Sequence, residues 1–221
     1  PRHTMSEQPP DQRRLEEQRD NLRLLNQVMR HDIRNDLQLI GAYAEMLDEH
    51  VDEEGSEYLR IIKESTESAA NLTTTARDLA QVMLSSNGQT EAVSLDGALS
   101  QQLDELRSGY PEAVVTVEEP IPDVEVLAND MLGSVFRNIL QNAIHHNDKT
   151  PPRVTVAAAE TDGVVDVRSA DNGPGVPDAQ KGEIFGKGEK GLESSGAGIG
   201  LYLVQSLVDS YGGEVWVEDR E

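Results

Sequence analysis

Residues 138–147, NILQNAIHHN, place Asn138 and Asn142 four positions apart in a stretch that predicts a helix over 129–146. Residues at this spacing lie on the same face of an α-helix. Carboxamide oxygens suit Mg²⁺, a hard ion that keeps several waters and takes further ligands from phosphates. Taken alone, such a pair is more often a surface or capping feature, so the motifs around it decide its meaning.

A glycine-containing turn, DNGPGVP (171–177), follows a predicted strand. Gly173 and Gly175 permit a tight turn and a close approach of the backbone to a ligand. Asp171 can accept a hydrogen bond from an exocyclic amine such as adenine N6. A plain Asp-Asn-Gly turn is the simpler interpretation of this motif by itself.

A second glycine motif, GAGIGLYLV (196–204), opens a predicted helix with Gly196, Gly198 and Gly200. Small residues at a helix amino terminus expose backbone N–H groups, and the helix dipole favours an anion there. The spacing matches neither a Walker P-loop nor a dinucleotide fingerprint. The motif therefore indicates phosphate binding of another kind.

Between the two glycine motifs lies a stretch rich in Gly, Lys and Ser, DAQKGEIFGKGEKGLESS (178–195). This composition predicts a mobile lid, in which Lys187 and Lys190 can reach phosphates. A solvated loop without a ligand is the alternative.

The remaining pattern of residues 87–221 predicts a mixed α/β domain. Antiparallel strands with helices clustered around them favour an α/β sandwich with one helical layer. A polar segment over 85–94 is interpreted as the linker that precedes this domain. The further predicted elements are a helix capped by Ser94 and running through Arg107, strands over 113–118, 153–160 and 163–171, a helix over 198–212 and a last strand over 213–219.

Residues 13–86 instead predict a helical hairpin. Apolar residues recur at steps of three and four from Leu22 to Leu47, and the polar stretch DEHVDEEGSE (48–57) then ends the first helix. A heptad seam follows, formed by Tyr58, Ile62, Ser65, Ala69, Leu72, Ala76, Leu79 and Met83. Because a lone hairpin exposes much of its apolar face, we expect a homodimer with a four-helix bundle. A bundle closed within the chain against the second domain is the alternative.

The charge of the chain limits its partners. Its 41 Asp and Glu against 19 Lys and Arg give a net charge of −22, which argues against nucleic-acid binding. Such a surface also suits high salt, so we expect a halophilic source; an ordinary acidic cytosolic protein is the alternative. No cysteine and no apolar run long enough to span a bilayer are present, which predicts a cytoplasmic chain without a membrane segment. Residues 1–12 read as a disordered lead.

The ordered set of motifs resembles the ATP-binding domain of sensor histidine kinases, a Bergerat-type sandwich of the GHKL group. The resemblance implies ATP and Mg²⁺ as ligands, with Asn142 on the metal, Asn138 near phosphate and Asp171 reading adenine. It places Phe185 and Lys187 in the lid. It matches the two glycine boxes to Gly173, Gly175, Gly196, Gly198, Gly200 and the following Leu201.

The stretch HDIRND (31–36) is similar to the phosphoacceptor box of the same family. The resemblance implies that His31 accepts the phosphoryl group, that Asp32 assists it and that Asn35 serves a phosphatase activity. A response regulator receiver domain is the implied partner, phosphorylated on an aspartate. Asp36 replaces the usual proline of this box, which leaves the expected helix kink in doubt.

The sequence also departs from the family pattern after the first asparagine motif. His145 and His146 stand where Lys and Tyr are common, and His146 can stack near the nucleotide as Tyr would. The second lid aromatic is replaced near Gly188. Two rival functions stay open: a dimeric ATP-binding protein without catalysis, and a related ATPase or protein serine kinase. The hairpin with His31 argues against the latter.

Overall fold

The computed structural model describes residues 33–84, 90–186 and 197–220. Contacts among these residues divide the chain into two units, one up to Arg77 and one from Asp78 onward. Each unit is described by itself below.

The first unit is a helical hairpin. Helix α1 covers residues 33–47, a 3-10 turn covers Asp48–His50, and helix α2 covers Glu53–Leu84. Asp52 caps α2, since Gly55 N donates to its Oδ1 at 2.9 Å. A Cβ atom on Gly55 would lie 2.7 Å from Val51 Cβ, so this close turn requires glycine. The predicted hairpin is thus confirmed, although α2 begins inside the stretch predicted as a turn.

The hairpin buries few apolar residues of its own. Ala44 and Leu59 are buried, whereas Tyr58 and Ile62 of the predicted seam are 59% and 41% exposed. A groove of about 590 Å³ runs between the helices, lined by Asp36, Leu39, Ile40, Tyr43, Ala44, Leu47, Leu59 and Ile62. The seam in these described residues therefore remains open to a partner surface.

The end of α2 belongs to the second unit. Leu79 and Val82 pack against the core of that unit, and Asp78 is buried within it. This packing explains why the two units divide before the helix ends. The domain boundary predicted from composition, after residue 86, remains a prediction.

The described residues of the second unit form two small sheets and three long helices. Strand β1 pairs antiparallel with β3, β2 pairs parallel with β4, and β4 pairs antiparallel with β5. Its elements are β1 Glu91–Ser94, α3 Leu95–Gly109, β2 Val114–Val117, β3 Glu125–Ala128, α4 Leu132–His145, β4 Arg153–Thr161, β5 Val164–Asp171, α5 Asp178–Lys181 and α6 Ala197–Ser210.

One helical layer covers one face of the larger sheet, as expected. Helix α4 lies centrally, because it packs against α3, α6, β4 and β5. Val154, Val156 and Ala158 alternate along β4 and face the core. The fully buried side chains that hold these layers together include Leu99, Leu103, Leu140, Val154, Val156, Leu203, Val204 and Leu207.

Local signals placed several of these elements correctly. Ser94 caps α3 as predicted, since its Oγ accepts a hydrogen bond from Gly97 N at 3.1 Å. The β4–β5 hairpin turns at Asp162 and Gly163, whose φ angles of 55° and 79° suit the Asp-Gly pair of a tight hairpin turn. The antiparallel pairing predicted for these strands is confirmed.

Two expectations about the second unit were wrong, and one strand was missed. The segment predicted as a linker contains β1, because Val93 packs on the core and the strand finds a partner in β3. Strand β3 itself was not predicted. Residues 213–220 form no strand in the described chain. Their alternating pattern does place Val215 against the core and Trp216 outward. The segment therefore packs on the core without pairing with a strand.

None of the helices in the described ranges combines the length and the apolar character needed to cross a membrane.

Candidate active site

Asn138 lies buried on α4 against the second glycine motif. Its Nδ2 donates to the carbonyl of Ser134 at 2.7 Å, one turn earlier. A Cβ atom on Gly200 would lie 2.7 Å from Asn138 Oδ1, so α6 approaches α4 closely only because glycine stands there. Asn138 therefore positions the start of α6 in addition to any ligand contact.

Asn142, one turn further along α4, has a buried amide nitrogen without a hydrogen-bond partner among the described residues. A buried polar atom left unpaired costs free energy, so such an atom points to a ligand or water that completes it. The nitrogen and oxygen of a carboxamide exchange places by a half-turn of the group. The side chain thus fits a metal ion that takes its oxygen or a phosphate that accepts a hydrogen bond from its nitrogen.

The first glycine motif presents one carboxylate oxygen for binding. Asp171 Oδ1 accepts a hydrogen bond from Gly173 N at 2.7 Å, which closes the turn. Its second oxygen accepts none from the described part of the chain. A Cβ atom on Gly173 would lie 2.8 Å from Asp171 Oδ1, and Gly175 has a φ of 73°. The geometry suits an amine donor such as adenine N6 at the free oxygen.

Two asparagines that sequence reasoning did not single out join this turn to α4. Asn172 Oδ1 accepts from Asn147 Nδ2 at 2.9 Å and from Arg153 N at 2.8 Å. Asn147 Oδ1 in turn accepts from Lys149 N. Asn172 lies inside the quoted DNGPG motif, where its amide was available as a signal but was interpreted only as a turn residue.

The two histidines at the end of α4 have different surroundings. His145 Nε2 lies 2.6 Å from Tyr110 Oη, and the two rings meet edge to face. Partial burial lowers the pKa of His146, and the neighbouring His145 lowers it further. His146 is therefore neutral at pH 7 and able to stack on an aromatic base.

The other predicted ligand-site residues are placed in part. Gly198 and Leu201 lie in the first turns of α6, and both are half-buried. Phe185 is half-buried in the turn after α5. Gly196, Lys187 and Lys190 lie outside the described residues, as does the rest of the predicted lid from residue 187 to 196.

Lys181, a residue not predicted, ties α5 to the end of the chain. Its Nζ lies 2.5 Å from Asp178 and 2.7 Å from Asp219. The pKa of Lys181 is raised by its hydrogen bonds to these carboxylates, and the pKa of Asp178 is lowered by the same contact. This pair of contacts anchors the base of the segment that leads into the predicted lid.

The phosphoacceptor stretch is described only from residue 33. His31 and Asp32 lie outside the described residues. Asn35 and Asp36 are exposed on α1, and the helix is continuous through the position where the family pattern has proline. The exposed face agrees with a site that must meet other molecules.

The three motifs of the second unit converge on α4. Asn138 contacts Gly200 of the second glycine motif, and Asn147 contacts Asn172 and Gly173 of the first. Asn142 lies between them on the same helix. No cluster of three or more His, Asp or Glu side chains suited to a metal occurs among the described residues. A divalent ion here would therefore depend on Asn142 and on oxygens of the nucleotide.

Two family models match the chain. Residues 128–221 match the family of histidine kinase-, DNA gyrase B- and HSP90-like ATPases. Residues 21–83 match the His Kinase A phospho-acceptor domain. The first match contains all three motifs that converge on α4, and the second contains His31.

Curated relatives include a sensor protein and a sensory kinase. The chain is 27% identical to the sensor protein KdpD of Escherichia coli over 220 residues, which is 95% of this chain and 24% of that protein. It is 32% identical to the adaptive-response sensory kinase SasA of Rippkaea orientalis over 125 residues, 52% of this chain and 31% of that protein. The chain therefore spans about a third or less of these relatives.

Solved structures share the fold. The full-length ShkA structure in complex with AMPPNP has a TM-score of 0.56 at 24% identity, covering 89% of this chain and 42% of that one. Histidine kinase ThkA in complex with response regulator protein TrrA has a TM-score of 0.56 at 21% identity, covering 96% and 62%. These two structures share the fold, and the family matches give the chain a phospho-acceptor domain followed by a histidine kinase-, DNA gyrase B- and HSP90-like ATPase domain.

Proposed function

We propose that this chain is an ATP-dependent protein-histidine kinase that phosphorylates its own His31 and passes the phosphoryl group to an aspartate of a response regulator. The convergence of the Asn138, Asp171 and Gly200 motifs on one helix is the observation that carries the proposal. It supplies an adenine acceptor, a carboxamide for a metal ion and a glycine-bounded helix start in one unit.

The residues of the site take distinct parts in binding the nucleotide. The free oxygen of Asp171 accepts a hydrogen bond from the adenine amine, and neutral His146 stacks on the base. Asn142 would hold Mg²⁺, which when bound neutralises charge on the phosphates. Lys187 and Phe185 belong to the stretch whose composition predicts a lid.

In the reaction, a neutral imidazole nitrogen of His31 forms a bond to the γ-phosphorus while the bond to the β,γ-bridging oxygen breaks and ADP leaves. An unperturbed imidazole, with a pKa near ~6.5, is mostly neutral at pH 7. Asp32 orients the ring and accepts its proton. Asn35, on α1, positions the water that hydrolyses the aspartyl phosphate of the regulator, which is the opposing, dephosphorylating reaction.

We propose further that the hairpin forms a homodimer. The groove between α1 and α2 and the exposed seam residues Tyr58 and Ile62 offer an apolar surface. Pairing two hairpins buries this surface in a four-helix bundle. The excess of acidic residues suits a cytoplasmic protein that works in high salt, as in a haloarchaeal source.

The test is incubation of the chain with γ-labelled ATP and Mg²⁺ in high salt. Label on the protein that is acid-labile, alkali-stable and absent from His31→Gln is the expected result. Label should then move to a receiver domain added to the purified phosphoprotein. Protein that binds ATP without becoming labelled would instead support the non-catalytic alternative.

A further inference from the structure

A buried charge cluster joins the end of α2 to the helix that carries the asparagine motif. Asp78 is 2% exposed, and its Oδ2 accepts from Ser134 Oγ at 2.7 Å and from Arg137 at 2.5 Å. Ser134 is also buried, and Arg137 Nη2 lies 3.1 Å from the Ser134 hydroxyl. All three residues belong to the second unit.

Ser134 connects this cluster to Asn138 on the next turn of α4. Its hydroxyl donates to Asp78, while its carbonyl accepts from Asn138 Nδ2 at 2.7 Å. Asn138 Oδ1 in turn lies against Gly200 at the start of α6. A continuous set of contacts thus runs from the carboxylate of Asp78 to the start of the second glycine motif.

Stability alone is a poor reason for such a cluster. Asp78 loses its hydration and Arg137, whose side chain is 24% exposed, loses much of its own, while apolar residues of similar size are often as stabilising or more so. The cluster instead defines the orientation of α4, because the carboxylate accepts hydrogen bonds from two donors that stand three residues apart on that helix. This fixes the rotation and the axial position of α4 against the end of α2.

We propose that Asp78 is a positioning residue for the nucleotide site, holding α4 through Ser134 and Arg137 so that Asn138 and Asn142 face the ligand. The inference rests on the proposed function, since it concerns the same site. Asp78 lies on a helix that is continuous from Glu53.

The test measures the dissociation constant for ATP with Mg²⁺ by titration calorimetry, beside the thermal unfolding midpoint, in the full chain. We expect Asp78→Asn to weaken ATP binding by about tenfold or more, as loss of an outer-shell partner does at metal sites. The double variant D78L/R137M removes both charges together. It should recover the unfolding midpoint of the wild type but not its affinity.

Ser134→Ala decides the matter if the charge variants fail to fold, because it removes only one hydroxyl. It should weaken ATP binding severalfold with little change in the unfolding midpoint. Asp104→Asn is the matched control, since Asp104 pairs with Arg107 on the exposed face of α3. It should change neither quantity.

Wild-type affinity in folded D78L/R137M or in Ser134→Ala would overturn the inference while leaving the proposed function intact. Asp171→Asn separates the two, because it should abolish binding whatever Asp78 does. A wild-type chain that binds no ATP would overturn the proposed function and this inference with it.

Discussion

The hairpin and the α/β unit place their apolar residues in opposite ways. In the α/β unit, Leu203 and Val154 are fully buried within one chain, in a core shared by three helices and a sheet. In the hairpin, Tyr58 and Ile62 are exposed although they follow a heptad seam. The difference teaches that the two units reach stability by different routes. The α/β unit buries its core alone, whereas the described part of the hairpin leaves apolar seam residues exposed, which supports the proposed dimer.

The largest expected effect is the loss of a core side chain. Leu203→Ala should destabilise the α/β unit by about 2–5 kcal/mol, because it leaves a cavity among packed helices. Leu127→Ala is the control, since Leu127 is 69% exposed on β3 and should change stability by less than about 0.5 kcal/mol. Denaturant unfolding measures both. Equal losses of stability in the two variants would contradict the burial of Leu203 in the core.

Next in size is the effect of a charge placed on the hairpin seam. Ile62→Glu should weaken the proposed dimer by about 1.5–3 kcal/mol per buried side chain, because the apolar contact is lost in both copies. Sedimentation equilibrium measures the dimer dissociation constant. Val164→Glu, at an exposed position of β5, is the control and should leave it unchanged. A wild-type chain that stays monomeric would contradict the proposed dimer.

A methyl group added at the close contact between α4 and α6 should cost somewhat less. Gly200→Ala places its Cβ 2.7 Å from Asn138 Oδ1, so α6 must shift. We expect about 1–3 kcal/mol of destabilisation, together with weaker ATP binding. Gly109→Ala, where a Cβ meets nothing within 4 Å, is the control. A stable Gly200→Ala variant with full ATP affinity would argue against this packing.

The amide bridge between α4 and the first glycine motif should contribute about 1 kcal/mol. Asn147→Ala removes the donor to Asn172 Oδ1, which then keeps only its bond from Arg153 N. ATP affinity should fall severalfold because the turn around Asp171 is less well held. Titration with ATP tests this. Asn147→Ser, which retains a short donor, should lose less affinity than the alanine variant.

The smallest expected effect is a pH dependence from His146. Its pKa is lowered by burial and by His145, so the folded state favours the neutral ring. The unfolded chain, with a pKa near 6.5, binds the proton more readily. The contribution of His146 to the free energy of unfolding is therefore fully present above pH 6.5 and is lost as the pH decreases below that value. His146→Phe should remove that decrease. If the unfolding midpoint of the variant still falls at acid pH as it does in the wild type, the decrease comes from other groups.

Sequence reasoning succeeded where a local signal carried the information. Ser94 as a cap, the Asp-Gly turn at 162–163 and the 3.6-residue period of α4 each depend on neighbours in the chain. It failed for β1 and β3, because each strand is short and exists through its pairing with the other. It also failed for residues 213–220. Their alternating pattern predicts which side chains face the core, but it does not predict whether a neighbouring strand pairs with them.

The sequence by itself determined the order of the motifs, the helical hairpin and the α/β class, since periodicity and turn chemistry are written in consecutive residues. It also determined the acidic charge. Only the tertiary structure decided that Asn138 touches Gly200, that Asn172 bridges to Asn147 and that Asp78 bonds Ser134 and Arg137. These contacts join residues far apart in the chain. Their partners are selected by the packing of α2, α4 and α6, which no local pattern specifies.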